Sequence, residues 1–344
     1  MSVRAVMGLL PIIVLGMPAS ALADIVVYGK IYAELARETS NAGAAELDGT
    51  TLDDAQNTGR IGIRFNQDLG GGLEAFGLYE FAITAPDETG DFIVREGYVG
   101  IRGTFGSVAM GRFSGAYKIT GGKQFDVFGF TSLQASGNGG MSGGKFGTDA
   151  FVSRVIEYRP PRFGSDEGWH FDAVVQYVAG QETLDPTTPT PSERGSTLAG
   201  LTLGRGQFDF IAATSHDKLT DRRNAKAGAR FKAAGFALTV QQEAVEMGGY
   251  ERIPTATPGV FTIDGEGSYT TGIFEYQTGD FHYVVQLGEY RSDAMTGTDA
   301  SYFAAGLRYY FARNIWLLVG HRETDSDEDA LDSTASVLGL RYDF

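Results

Sequence analysis

The side chains of this sequence that could act through charge are mostly arginines in alternating runs. Arg60 and Arg64 share one parity of residues 60–66, and Ile61, Ile63 and Phe65 occupy the other. Arg112 falls at the end of a similar run, residues 107–113, and Asp126 lies in the Gly-rich stretch that follows. Arg95 belongs to a further run, on the parity of Val99 and Ile101. Strand residues of one parity point to one face. Such arginines can therefore line one arc of a lumen and, with Asp126 opposite, set up a transverse field of the kind that channels use to sort solutes. The alternative is local: each arginine pairs with a carboxylate such as Glu34, Glu74 or Glu80.

Other chemistries find little support. There is no cysteine, and the four histidines (His170, His216, His282 and His321) are isolated singles, so no clustered zinc site is expected. Ser215, His216 and Asp217 adjoin in sequence, but neighbours on a strand point to opposite faces, so they do not form a nucleophile, base and orienter. The glycines at 137, 139, 140, 143 and 144 are not followed by the Lys-Ser/Thr pair of a phosphate loop. Asp325, Asp327 and Asp329 alternate in DSDEDALD like the start of a calcium loop, yet the sixth-position Gly and the twelfth-position Glu are missing. Solvation of that loop, or loose retention of Ca²⁺ or Mg²⁺ at a surface, is expected. No other cofactor, no enzymatic activity and no nucleic-acid partner is expected.

These residues need elements to position them. Residues 24–37 put Ile25, Val27, Ile31, Ala33 and Leu35 on one parity and Lys30, Tyr32 and Glu34 on the other, the signature of a strand with one apolar and one polar face. Residues 60–66 and 73–81 flank a Gly70-Gly71-Gly72 turn and read as a hairpin. The same unit recurs to the C-terminus, where Leu338, Leu340, Tyr342 and Phe344 alternate with Arg341 and Asp343. The count is about sixteen strands, an even number suited to an outer-membrane barrel. One set of connections is short and glycine-bearing, while the other is long and acidic, as at 180–194 and 325–332. That asymmetry favours a membrane barrel over a soluble sandwich. The expected fold is thus all-β, a transmembrane antiparallel β-barrel over residues 24–344.

Two segments stand apart from the repeat. Residues 1–23 carry one basic residue, Arg4, then an apolar run and a small-x-small ending, Ala21-Leu22-Ala23, and are expected to be a cleaved secretory signal. Residues 115–150 have no strand or helix period, but Phe125, Val127, Phe128, Phe130 and Leu133 give them an apolar anchor, with Lys118, Lys123, Asp126 and Lys145 keeping them polar elsewhere. A long irregular segment of this kind is commonly functional, and this one is expected to fold into the barrel and narrow it.

The runs VVYGKIYAEL, NQDLGGGLEAF, REGYVGIRGTFGSVAMGR and IEYRPPRF, with the terminal LRYDF, resemble the general diffusion porins of Gram-negative bacteria. The resemblance covers residues 24–344, and residues 106–112 with Phe344 are its most specific parts. It implies a sixteen-stranded barrel with the third outer loop folded inside, acidic loop residues facing basic wall residues, a homotrimer, and a terminal Phe read by the assembly machinery. It also implies contact with outer-membrane lipid and lipopolysaccharide, and passage of ions and small hydrophilic solutes. The third loop departs from the family in its extra Lys and Gly and its few carboxylates. Two other readings are an adhesin or structural barrel without a conducting pore, and an outer-membrane hydrolase.

Overall fold

The computed structural model describes residues 23–41, 47–55, 58–83, 92–144, 146–148, 150–165, 168–180, 195–254, 261–295 and 297–344. The expected signal segment, apart from Ala23, and Lys145 lie outside the described residues.

The strands run in order as β1 (Asp24–Ser40), β2 (Leu47–Asp53), β3 (Arg60–Gly70), β4 (Leu73–Ala82), β5 (Ile93–Gly103), β6 (Gly106–Ser114) and β7 (Phe151–Arg159). They continue as β8 (Phe163–Gly164), β9 (Trp169–Val178), β10 (Thr197–Arg205), β11 (Phe208–Asp217), β12 (Arg222–Ala233), β13 (Phe236–Val245), β14 (Glu251–Pro254) and β15 (Phe261–Asp264). The last five are β16 (Gly267–Thr278), β17 (Phe281–Ser292), β18 (Ala300–Ala312), β19 (Ile315–Ser326) and β20 (Ser333–Asp343). Every wall pairing is antiparallel, β13 passing over β14 and β15 to pair with β16, and the sheet closes where β1 pairs with β20 from Lys30↔Asp343 to Ser40↔Ser333. The other side of β1 meets β3 at its start and β2 at its end. Thus β2 and β3 together make one wall strand, β8 only extends the β7 ladder, and the closed barrel has sixteen strands. Phe344 completes the seam, its N–H donating to Gly29 O at 3.0 Å and its carbonyl accepting from Gly29 N at 2.9 Å. Closure leaves no unpaired edge for lipid to meet.

Alternation decides which face each side chain takes. Ile31, Leu35, Ile63, Val99, Met110, Leu238, Leu287 and Leu340 are exposed on the outer face, whereas Lys30, Tyr32, Glu34, Lys226 and Gln286 are buried inside. Aromatic pairs gather at the short-turn end, among them Phe208–Phe231 with ring centroids 5.0 Å apart, Phe236–Tyr276 at 4.3 Å and Phe281–Tyr309 at 5.0 Å. Rings that are apolar in body and large in area suit that depth of a membrane barrel.

Two elements were not apparent in the sequence. The stretch after β1 contains β2, which prolongs the β1 ladder. The stretch between β13 and β16 contains a separate hairpin of β14 and β15. Tyr250 beside that hairpin packs with Tyr269, Tyr290 and Leu331 in a small apolar cluster at the long-loop end.

Candidate functional site: the neck of the barrel

Residues 115–150 enter the lumen and touch the wall nearly all the way round. The segment starts with a one-turn helix, α1 (Ala116–Ile119), followed by a 3-10 turn at Gly122–Gln124. Of its apolar anchor, Phe128 and Leu133 are fully enclosed, Phe125 and Val127 nearly so, and Phe130 is half-buried. These side chains seat against wall positions that carry no side chain. A Cβ on Gly306 would lie 2.7 Å from Phe128 Cε1, and one on Gly320 would lie 2.4 Å from Leu133 Cδ1. Close approach of this kind explains glycine inside a strand.

Polar contacts fix the rest of the loop. Near its start, Ala116 N donates to Gln176 Oε1 at 2.7 Å. At its apex, Ser132 N donates to Glu34 Oε1 at 3.0 Å, Arg322 Nε donates to Ser132 O at 2.9 Å, and Arg308 Nη2 donates to Val127 O. On the returning limb, Thr271 Oγ1 donates to Gly140 O at 2.6 Å and Ser142 Oγ to Glu243 Oε2 at 2.5 Å. Ser215 Oγ then donates to Phe146 O at 2.8 Å. Buried polar groups partnered this fully hold a loop in one place.

The space left beside the loop is a cavity of about 550 Å³. Arg60, Lys30, Arg230, Arg308, Arg313 and Arg341 reach it from the wall side and Lys118 from the loop. Against these seven cations stand three acidic lining residues among those described: Asp126, Glu275 and Asp343. Carboxylates are shared in the neck. Glu80 pairs with both Arg60 and Arg95, each at 3.1 Å, and Glu275 pairs with Arg230 at 2.9 Å and with His282 at 3.0 Å. The local balance is therefore positive although the whole chain carries a formal charge of -15.

The arginines singled out in the sequence take different places. Arg60 lines the neck and also pairs with Glu80. Asp126 lines the same cavity from the loop. Arg64 has lumen parity but stands below the neck, its guanidinium 4.8 Å from the Tyr28 ring centroid. Arg95 sits at a bulge: Glu80 faces Glu96 and Phe81 faces Val94, which leaves Arg95 as an extra residue in β5. A bulge re-aims side chains, so Arg95 is buried beside Glu80 although Val99 and Ile101, of the same parity, are exposed outside.

Arg112 is a correction. It faces Gly97 in β5, at the register shift between Gly111 and Phe113 in the β6–β7 ladder, and it is not among the residues lining the cavity. Its guanidinium donates to Val94 O and Arg95 O, both at 3.1 Å, and to Ser153 Oγ at 2.7 Å. Arg112 thus braces the place where β6 departs from β5. Lys30, Arg230, Arg308 and Arg341 were not assigned to the neck from the sequence. Alternation gives their facing, but not their height along the barrel, which depends on strand stagger.

The acidic loop is spread out. Asp325, Asp327 and Asp329 are all exposed, and no group of three or more His, Asp or Glu that could hold a metal is formed among the described residues. Asp325 still belongs to β19, whereas Asp329 opens the 3-10 turn Asp329–Leu331, so their side chains diverge. Asp332 Oδ1 accepts from Ser326 N at 2.8 Å. Burial pushes the Asp332 carboxyl up from its ordinary value, and the charges of Asp325 and Asp329 add to this.

Residues 12–329 match the family model for the Gram-negative porin. The chain belongs to this family. Its barrel is placed accordingly in a Gram-negative outer membrane, with the apolar outer face towards lipid. The major outer membrane protein P.IB of Neisseria meningitidis serogroup B is 29% identical over 119 residues, covering 33% of this chain and 35% of that protein. P.IB of Neisseria gonorrhoeae is 27% identical over 175 residues, covering 50% and 47%. The match thus spans a third to a half of the length of these relatives. Two solved structures share the fold. The anion-selective porin of Comamonas acidovorans has a TM-score of 0.69 at 17% identity, covering 94% of this chain and 100% of that one. Salmonella typhi OmpF has a TM-score of 0.69 at 17% identity, covering 93% and 97%.

Proposed function

We propose that this porin is a water-filled channel for passive diffusion of ions and small hydrophilic solutes, and that its neck favours anions. One observation carries the reading: the internal loop is bonded to the wall around the barrel and borders a cavity in which, among the described residues, Lys and Arg outnumber Asp and Glu. Cations held in a confined, poorly solvated passage attract anions more strongly than the same cations on an open surface. Three copies are expected to assemble, as the family resemblance implies, in contact with lipid and lipopolysaccharide.

Enzymatic activity forms no part of this reading. Ser215 points inward to Phe146 O, while His216 pairs with Asp221 at 2.8 Å, so these neighbours do not act on one substrate atom. For the acidic loop the proposal is a diffuse one: its carboxylates concentrate cations, Ca²⁺ and Mg²⁺ included, at the mouth. Single-channel recording of the reconstituted protein in a salt gradient tests the main reading. Stepwise conductance with an anion-selective reversal potential is expected; an intact barrel that does not conduct would favour the adhesin reading.

A further inference from the structure

Phe130, at the loop apex, holds a backbone conformation that its residue type disfavours. Its φ is +65°, a left-handed value that costs a non-glycine residue free energy and persists only where the surroundings over-determine it. Here they do: Phe130 N donates to Gln134 Oε1 at 3.2 Å, and its carbonyl accepts from the Thr58 hydroxyl. The ring is therefore presented in a fixed orientation, half-buried and lining the neck.

Four cations surround that ring. Lys118 Nζ lies 4.6 Å from its centroid, Arg95 Cζ 4.8 Å, Arg60 Cζ 5.2 Å and Lys30 Nζ 5.8 Å. A second aromatic with flanking cations lines the same cavity: Arg308 and Arg341 each stand 5.3 Å from the Trp316 ring. An aromatic face holds a cation through its quadrupole, which fixes the cation without neutralising it. Arg308 forms no salt bridge among the described residues, and its Nε has no hydrogen-bond partner there; Arg60 Nη2 is likewise unpartnered. The neck thus lines its cavity with cationic side chains next to flat apolar rings.

We infer that the neck is a binding site for small organic anions with an aromatic body, and that Phe130 is the residue that sets this preference. The inference rests on the channel reading above and adds the solute class. The carboxylate of such a solute meets Arg60, Lys30 and Arg308, and its ring stacks on Phe130 or against Trp316. An aliphatic carboxylate of equal charge gains only the first interaction. An aromatic cation gains the stacking but is repelled by the surrounding charges. The cavity, about 550 Å³, accommodates a single-ring solute together with water.

The test is block of chloride current through the purified, reconstituted protein by benzoate, acetate and benzylammonium. Benzoate should block at a concentration about tenfold below that of acetate, the scale of one stacking or cation–π contact, and benzylammonium should not block. Phe130→Leu should bring the benzoate and acetate values together. Phe130→Gly, which suits the left-handed backbone and so preserves the loop, should do the same. Equal block by benzoate and acetate in the parent, or an unchanged ratio in both variants, would overturn the inference and leave the channel reading intact. Absence of any chloride conductance would overturn the channel reading and, with it, this one.

Discussion

Arg322 and Asn138 join the wall of the barrel to the loop that narrows it. Arg322 Nη1 donates to Asn138 Oδ1 at 2.9 Å, and the same nitrogen reaches Thr324 Oγ1 at 3.1 Å and Ser333 Oγ at 3.0 Å. The side chain is almost fully buried. Hydrogen bonds to a charged donor contribute about 1.5–3 kcal/mol each, so this is one of the stronger ties on the apex. Arg322→Ala should leave the barrel folded, judged by heat-modifiable migration, and add brief conductance fluctuations to single-channel traces. Traces as quiet as those of the parent would show that the apex is held without Arg322.

Removal of the loop itself should have a larger effect. A deletion of residues 121–140 takes out Phe128 and Leu133, leaving their wall sockets at Gly306 and Gly320 empty, and should raise both conductance and the solute size limit in liposome swelling. Unchanged values would place the narrowest point elsewhere.

The different places of the arginines lead to different outcomes. Arg60→Ser should shift the reversal potential towards cations, because Arg60 lines the neck. Arg64→Ser should shift it less, since that side chain stands in the wider lumen, and lumen substitutions tune selectivity according to their position. Arg112→Ser should leave selectivity unchanged but loosen the junction of β5 and β6, which hydrogen exchange of Gly97 and Arg95 would register. A reversal potential moved most by Arg112→Ser would contradict its place outside the neck lining.

Asp332 gives the mouth a pH dependence whose sign can be worked out. A carboxyl raised in the folded state stabilises its loop fully at pH below its unfolded value, and that contribution is lost as pH rises through the folded value. Acidification towards the carboxylate range should therefore increase hydrogen-exchange protection in residues 326–332, and Asp332→Asn should abolish the increase. An identical pH profile in the two proteins would remove burial of Asp332 as the cause.

The triple replacement of Asp325, Asp327 and Asp329 by Asn should reduce cation accumulation at the mouth. The effect on reversal potential should be visible at low salt and gone near 1 M, where the screening length is about 3 Å. A change independent of salt, or a thermal stability equally insensitive to Ca²⁺ in both proteins, would speak against a role for this loop in gathering cations.

What the sequence determined by itself follows from short-range geometry. A period of two is a property of adjacent residues, so the alternation of Ile31, Ala33 and Leu35 with Lys30, Tyr32 and Glu34 was enough to identify strands, assign faces and bring the count to sixteen. The loop was legible because Phe128 and Leu133 interrupt a polar segment too long to be a turn. Only the tertiary structure decided what the neck contains. Arg308 and Arg341 carry the same local signal as any lumen-facing residue, and their meeting around Trp316 depends on the relative stagger of β18, β19 and β20. One extra residue in β5 turned Arg95 inward against its parity, and bonds to Val94 O, Arg95 O and Ser153 Oγ hold Arg112 at the β5–β6 junction and off the neck lining that the end of its run had suggested. Height along the barrel and the choice of neighbours are set by hydrogen-bond register between strands. Register is a non-local quantity that no spacing within a single strand encodes.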